Sequence, residues 1–142
     1  MSAAVFVDTS GLFAALDSAD PNHATAASGL HRLLDGLADR SRTAVIHTGV
    51  AIELSALVQR RLGHAAARDL HESLLPLFDM RWIDAHLWGE AVERMGTSRR
   101  RRVSLVDQLS FAVMRRDSID TAFEFDADFR AEGFTRWVGG RR

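Results

Sequence analysis

The sequence predicts an α/β fold, with a mostly parallel sheet covered by helices on both faces. Short apolar, partly β-branched runs alternate with helix-period segments along the whole chain. No repeat, low-complexity tract or Pro/Gly-rich linker divides it, and 142 residues of ordinary composition, 46% hydrophobic and 26% charged, suit one globular core.

The elements follow in order. Ala3–Val7 reads as a buried strand. Asp8-Thr9-Ser10 ends it, with Thr9 or Ser10 expected to cap a helix over Gly11–Asp17. Asp20-Pro21-Asn22 resets the chain, and Pro21 stands near the start of a second helix running to about Ala38. Ala44–Ile46 is a second strand. Thr48 is the expected N-cap of a helix reaching Leu62, where Gly63 stops it. A helix over His64–Leu75, a strand over Met80–Ile83 and a helix over His86–Met95 closed by Gly96 come next. Ser104–Arg116 is the most apolar helix, and Thr121–Phe125 and Phe134–Val138 complete the strands. In such sheets ligands bind at the carboxyl ends of the strands.

Composition removes several chemistries. Without cysteine there is no thiolate catalysis and no Cys-ligated zinc or iron–sulfur site. All 18 basic residues are arginine, so lysine-dependent P-loop enzymes, Schiff-base enzymes and haloacid-dehalogenase-type phosphotransferases are excluded. Arginine in place of lysine fits a GC-rich genome better than selection for RNA contacts, and a net charge of −1 provides no global field for nucleic acid. Asp8 interrupts the apolar N-terminus and no basic residue precedes it, which argues against a signal peptide. No stretch approaches the ~20 apolar residues of a membrane span. A soluble cytoplasmic protein is expected.

Four carboxylates stand where chemistry is possible. Asp8 follows the first strand, at the carboxyl edge of the sheet, although taken alone it reads more readily as a turn residue before a helix. Glu53 flanks the helical stripe of Val50, Leu54, Leu57 and Val58, where a partly desolvated carboxylate needs a cation or an arginine such as Arg60 or Arg61. Asp107 completes a capping box with Ser104 at the start of a buried helix, whose macrodipole favours negative charge. Asp126 ends the fourth strand; Asp128 could exchange roles with it, and both could be caps. Acids gathered at one edge repel, and a hard divalent cation relieves the conflict. Such an ion serves phosphodiester hydrolysis.

These pieces resemble the PIN-domain family, and within it the VapC-type toxins of bacterial toxin–antitoxin pairs. The resemblance is carried by Val-Phe-Val-Asp8-Thr-Ser, by Glu53, by Ser104-Leu-Val-Asp107 with Ser-Phe-Ala-Val-Met after it, by Phe-Glu-Phe-Asp126-Ala-Asp-Phe and by Glu132-Gly133-Phe134, in order over almost the whole chain. It implies a single PIN-like domain over residues 1–142, a three-layer α/β/α arrangement with four to five strands. It further implies an endoribonuclease dependent on Mg²⁺ or Mn²⁺ that cuts RNA through Mg²⁺-activated water, leaving a 3′-hydroxyl and a 5′-phosphate. Asp8, Glu53, Asp107 and Asp126 take the places of the family's acidic quartet, and Thr9 that of a hydroxyl beside the metal. The expected partners are transfer or ribosomal RNA, a small antitoxin whose tail covers the acids, and a second copy in a homodimer. The alternative is a non-catalytic PIN-like module that binds RNA or protein. A small-molecule phosphatase fits less well, because Ser10 stands where such enzymes place a second aspartate.

Arg99-Arg100-Arg101-Arg102 lies just before the helix of Asp107, as a grip on RNA phosphates or as a solvated loop. The six histidines form no His-Glu-x-x-His signature: Leu75 replaces the second histidine after His71-Glu72. Trp82, Trp88 and Trp137 are expected to pack rather than to stack on bases.

Overall fold

The computed structural model describes residues 3–138. The two residues before them and the four after, part of the expected 1–142 span, lie outside the described residues. Five strands form one sheet in the order β3-β2-β1-β4-β5, and all pairings are parallel. They are β1 (Ala3–Val7), β2 (Arg42–His47), β3 (Asp79–Arg81), β4 (Thr121–Phe123) and β5 (Thr135–Arg136). The helices are α1 (Thr9–Leu16), α2 (His23–Ala38), α3 (Thr48–Leu62), α4 (His64–Asp69), α5 (Ala85–Thr97), α6 (Leu105–Arg116) and α7 (Ala127–Ala131). The chain adds β2 and β3 to one side of β1, then returns to place β4 and β5 on the other. A crevice therefore opens at the carboxyl ends of β1 and β4. Successive strand residues face opposite sides of a sheet, yet Val5, Phe6 and Val7 are all at 0% exposure, so helices cover both faces.

Departures from the sequence reading have local causes. Asp8 itself caps α1, and His47 rather than Thr48 caps α3: its Nδ1 accepts from the Val50 amide at 3.2 Å. Thr48 is the first helical residue, and its Oγ1 accepts from the Ile83 amide. The expected His64–Leu75 helix stays α only to Asp69; a π turn (Leu70–Leu74) and a 3-10 turn (Leu75–Leu77) finish it, where Pro76 has no N–H to give. Gly96 does not close α5, which runs to Thr97. β4 stops at Phe123 because the amides of Phe125 and Asp126 are taken by the side chains of Ser10 and Glu124. The five-residue α7 was too short to show a period in the sequence.

Under the crevice, aromatic rings lock the elements together. The Phe129 ring of α7 meets Phe111 of α6 edge-on at 5.0 Å and stacks on Phe6 of β1 at 6.3 Å, with all three side chains fully buried. His47 is buried as well, 5.7 Å from the Phe6 ring. Because its Nδ1 accepts, its Nε2 carries the proton and donates to Ser110 Oγ at 2.9 Å.

Burial holds the His47 imidazole down at about pH 4, well below the ordinary 6.5. The folded state therefore resists a proton that the unfolded chain accepts. The stability His47 supports is complete above pH 6.5 and is lost as the pH falls toward 4. His47→Asn keeps an N-cap acceptor without a titrating ring. Denaturant melts are expected to show this variant less stable at pH 7 but losing less stability between pH 6.5 and 4 than the parent. Parallel losses in the two proteins would contradict the assignment.

Candidate active site

The crevice holds a cavity of about 500 Å³ whose lining includes Asp8, Thr9, Ser10, Glu53, Arg60, Ser104, Asp107 and Asp126. All four carboxylates singled out in the sequence thus reach one place, from the ends of β1 and β4 and from α3 and α6.

Asp8 is fixed most firmly. It is 4% exposed, and its Oδ2 accepts from the Ser10 amide at 3.0 Å and from Ser10 Oγ at 2.6 Å. Ser10 Oγ in turn accepts from the Phe125 amide at 2.9 Å, which ties the turn after β1 to the chain leaving β4. The approach is close. A Cβ on Gly11 would stand 2.3 Å from the Phe123 carbonyl oxygen, so the position admits only glycine without a shift. Glu53 was expected to be partly desolvated, but it is an exposed residue whose Oε1 accepts from Thr9 Oγ1 at 2.6 Å. Neither Arg60 nor Arg61 pairs with it among the described residues.

Asp107 forms the capping box with Ser104, accepting from the Ser104 amide at 3.4 Å while its own amide donates to Ser104 Oγ at 3.1 Å. Asp126 caps α7 through the Asp128 amide at 2.9 Å, and its own amide donates to Glu124 Oε1 at 2.6 Å. Asp107 and Asp126 are thus both caps, and both also line the cavity. One ligand oxygen each from Asp107, Asp126 and Asp128 lies within 4.8 Å of the others, a spacing that suits a shared cation. Asp8 and Glu53 line the cavity without joining that trio. Asp128 is also held by Arg100 Nη1 at 3.3 Å and lies outside the cavity lining.

The electrostatics match a crowd of like charges. Burial, reinforced by Asp107 and Glu53, pushes the Asp8 carboxyl up to about 7 against the opposing Ser10 hydrogen bonds. Burial and the neighbouring Asp126 push Asp107 up to about 6. Such carboxyls gain from a bound divalent cation what they lose in water.

Sequence reading passed over the supports. Nothing in the sequence pointed to the tie from Ser10 to the Phe125 amide. Glu124, between Phe123 and Phe125, carried no sequence expectation and is fully buried. Arg136 reaches it through Nε to Oε2 at 3.2 Å and Nη2 to Oε1 at 3.3 Å. No local signal joins Glu124, just past the end of β4, to Arg136 on β5. Trp137 packs as expected, donating to the Gly29 carbonyl at 3.0 Å, whereas Trp82 and Trp88 are 75% and 52% exposed, contrary to expectation. His71 bonds Ser55 Oγ at 2.9 Å, outside the cavity.

A family model for the PIN domain matches residues 5–134. The chain belongs to the PIN-domain family. This PIN-domain chain is 35% identical over 131 residues to a protein named 23S rRNA-specific endonuclease VapC20 from two Mycobacterium tuberculosis strains, CDC 1551 / Oshkosh and ATCC 25618 / H37Rv. The match covers 92% of this chain and 95% of the relative. The crystal structure of M. tuberculosis VapC20, described as a sarcin–ricin loop cleaving toxin, superposes with a TM-score of 0.77 at 33% identity, covering 97% of this chain and 99% of that one. That of FitAcB from Neisseria gonorrhoeae superposes at 0.67 with 19% identity over 94% of this chain and 96% of that one, a likeness of fold. The expected three-layer α/β PIN fold is thereby shown, with five strands. Among the described residues no helix is long and apolar enough to cross a membrane.

Raised carboxyls favour the folded state only while protonated. The stability tied to Asp8 and Asp107 is full below pH 3.8 and is lost as the pH rises through about 6 and about 7. Asp107→Asn removes one charge and keeps an oxygen for the cap. In EDTA at pH 8 this variant is expected to melt a few degrees above the parent, with the gap closing at pH 4. A lower melting temperature at pH 8 would mean that the buried, crowded charge of Asp107 is not what strains the cavity.

Proposed function

We propose that this chain, as one PIN domain over residues 1–142, is an endoribonuclease toxin acting in the cytoplasm, with Asp8, Glu53, Asp107 and Asp126 as its metal-binding and catalytic acids. The observation that carries the reading is their convergence on one cavity, with Asp8 and Asp107 both raised by burial first and by their acidic neighbours second. A divalent cation, Mg²⁺ or Mn²⁺, suits this all-oxygen set; when bound it neutralises charge on a phosphate and lowers the pKa of water.

The chain's own groups prepare that chemistry. Ser10 orients Asp8, Thr9 orients Glu53, and the Ser104 amide holds Asp107 at the N-terminus of α6. Asp126 is the fourth acid in this reading: it lines the cavity and its charge raises Asp107, while Asp128 is paired with Arg100. The VapC20 relatives cut 23S rRNA, which supports ribosomal RNA as the substrate class ahead of transfer RNA.

Their toxin nature supports a small antitoxin as partner. An apolar cavity of about 650 Å³ shares Ala56 with the acidic one and is rimmed by Ile52 and Trp82, 71% and 75% exposed, a surface suited to a protein segment. A homodimer is the further assembly the family resemblance implies.

Induced expression in a bacterium, followed by mapping of new RNA 5′-ends, tests the reading. The parent is expected to create discrete new ends. Asp8→Asn and Asp107→Asn are expected to lower their yield by on the order of 10²-fold or more, because the stabilisation removed is several kcal/mol. Equal ends from parent and Asp8→Asn would leave a binding module without catalysis. With purified protein, Asp126→Asn is expected to lose cleavage and Asp128→Asn to retain most of it; the reverse order would exchange their roles.

A further inference from the structure

Beside the acidic cavity lies a second one, of about 790 Å³, lined by Arg99, Arg100, Arg101 and Arg102 and by residues 125–128. The two share Asp126. The four arginines are not equivalent. Arg100 is half-buried and reaches Glu132 Oε2 at 2.7 Å and Asp128 Oδ1 at 3.3 Å. Glu132 also accepts from Arg115 at 3.2 Å, so the loop is clamped between α6 and α7. The Ser98 hydroxyl takes the Arg100 amide at 3.1 Å, and buried Val103 anchors the far end. Arg99, Arg101 and Arg102 are exposed, and among the described residues their side chains have no carboxylate partner.

A clamped loop thus holds three uncompensated cations next to a pocket of crowded anions. That arrangement suits one kind of ligand. A phosphodiester strand whose cut bond enters the acidic cavity carries further phosphates past Asp126, and these need countercharge that the carboxylates cannot supply. We propose that this cavity is a substrate subsite for the RNA backbone flanking the cut bond, gripped by Arg99, Arg101 and Arg102, with Arg100 serving to position the loop. The inference rests on the nuclease reading above. A fixed loop holds its guanidinium groups with less entropy to lose on binding than a mobile one.

The test reads binding separately from cleavage. A short fluorescein-labelled single-stranded RNA is titrated in EDTA across a KCl series with the parent and with Arg99→Gln/Arg101→Gln/Arg102→Gln. A matched variant, Arg40→Gln/Arg61→Gln/Arg68→Gln, removes equal charge from residues that line neither cavity. Loss of three contacts at ~0.7 per phosphate is expected to flatten the slope of log K against log[KCl] by about 2 in the loop variant. The matched variant should keep most of its slope, with melting temperatures of all three alike. An unchanged slope in the loop variant, or an equal loss in the matched one, overturns the subsite. So does a polyglutamate peptide that competes as well as unlabelled RNA of equal charge, which would assign the loop to an acidic protein partner. Cleavage by the parent in Mg²⁺ with an unchanged slope sinks the subsite alone. Absence of cleavage by the parent sinks the nuclease reading, whatever the slopes.

Discussion

The burial and mutual repulsion of carboxylates at the carboxyl edge of the sheet are the constraint that the surrounding structure has to oppose. Asp8, Glu53, Asp107 and Asp126 line one small cavity, and no arginine pairs with any of them among the described residues. Left to themselves, such groups would move apart or take up protons. What holds them is a set of donors that are neutral: the Ser10 amide and hydroxyl on Asp8, the Thr9 hydroxyl on Glu53, the Ser104 amide on Asp107 and the Asp128 amide on Asp126. Neutral donors fix an oxygen without cancelling its charge. Their positions are thus set by hydrogen bonds rather than by countercharge.

Packing supplies the force that keeps these donors in place. Parallel order puts the ends of β1 and β4 side by side, and Gly11 lets α1 close on the Phe123 carbonyl. The Phe6, Phe111 and Phe129 rings bind β1, α6 and α7 into one block beneath the cavity. The buried Glu124, paired with the half-buried Arg136, extends that block to β5 and carries the Asp126 amide with it. Arg136 is only partly buried, so the cost of losing it falls on Glu124, whose fully buried carboxylate would be left without its cation. The pair's value here lies in geometry.

Much of this was legible in the sequence, because the governing patterns are local. Apolar runs marked the strands, and Ser104-Leu-Val-Asp107 announced its capping box three residues apart. Gly63 was readable as a helix stop, and it sits at φ 104. The quartet was readable as residues, but their meeting was only implied by parallel order. What escaped was long-range or too brief for a period. The Ser10–Phe125 bond spans 115 positions, Glu124 just past β4 finds Arg136 on β5, and α7 has only five residues. The caps went astray for a related reason. Residue preference favours Thr48, yet tertiary packing puts the buried imidazole of His47 against Ser110 and leaves its other nitrogen facing the Val50 amide.

The ambiguity between Asp126 and Asp128 shows how charge partners sort residues that spacing cannot. The two lie two positions apart, and both bring an oxygen to Asp107. Arg100 separates them by compensating Asp128 and leaving Asp126 unpaired. The same guanidinium binds Glu132, so a single side chain mutes one acid and seats the arginine loop. Acidic and basic cavities then meet at Asp126 without collapsing into mutual salt bridges. A net charge of −1 conceals this arrangement, because opposite fields side by side cancel in the sum while remaining distinct over the few ångströms a phosphate can sense.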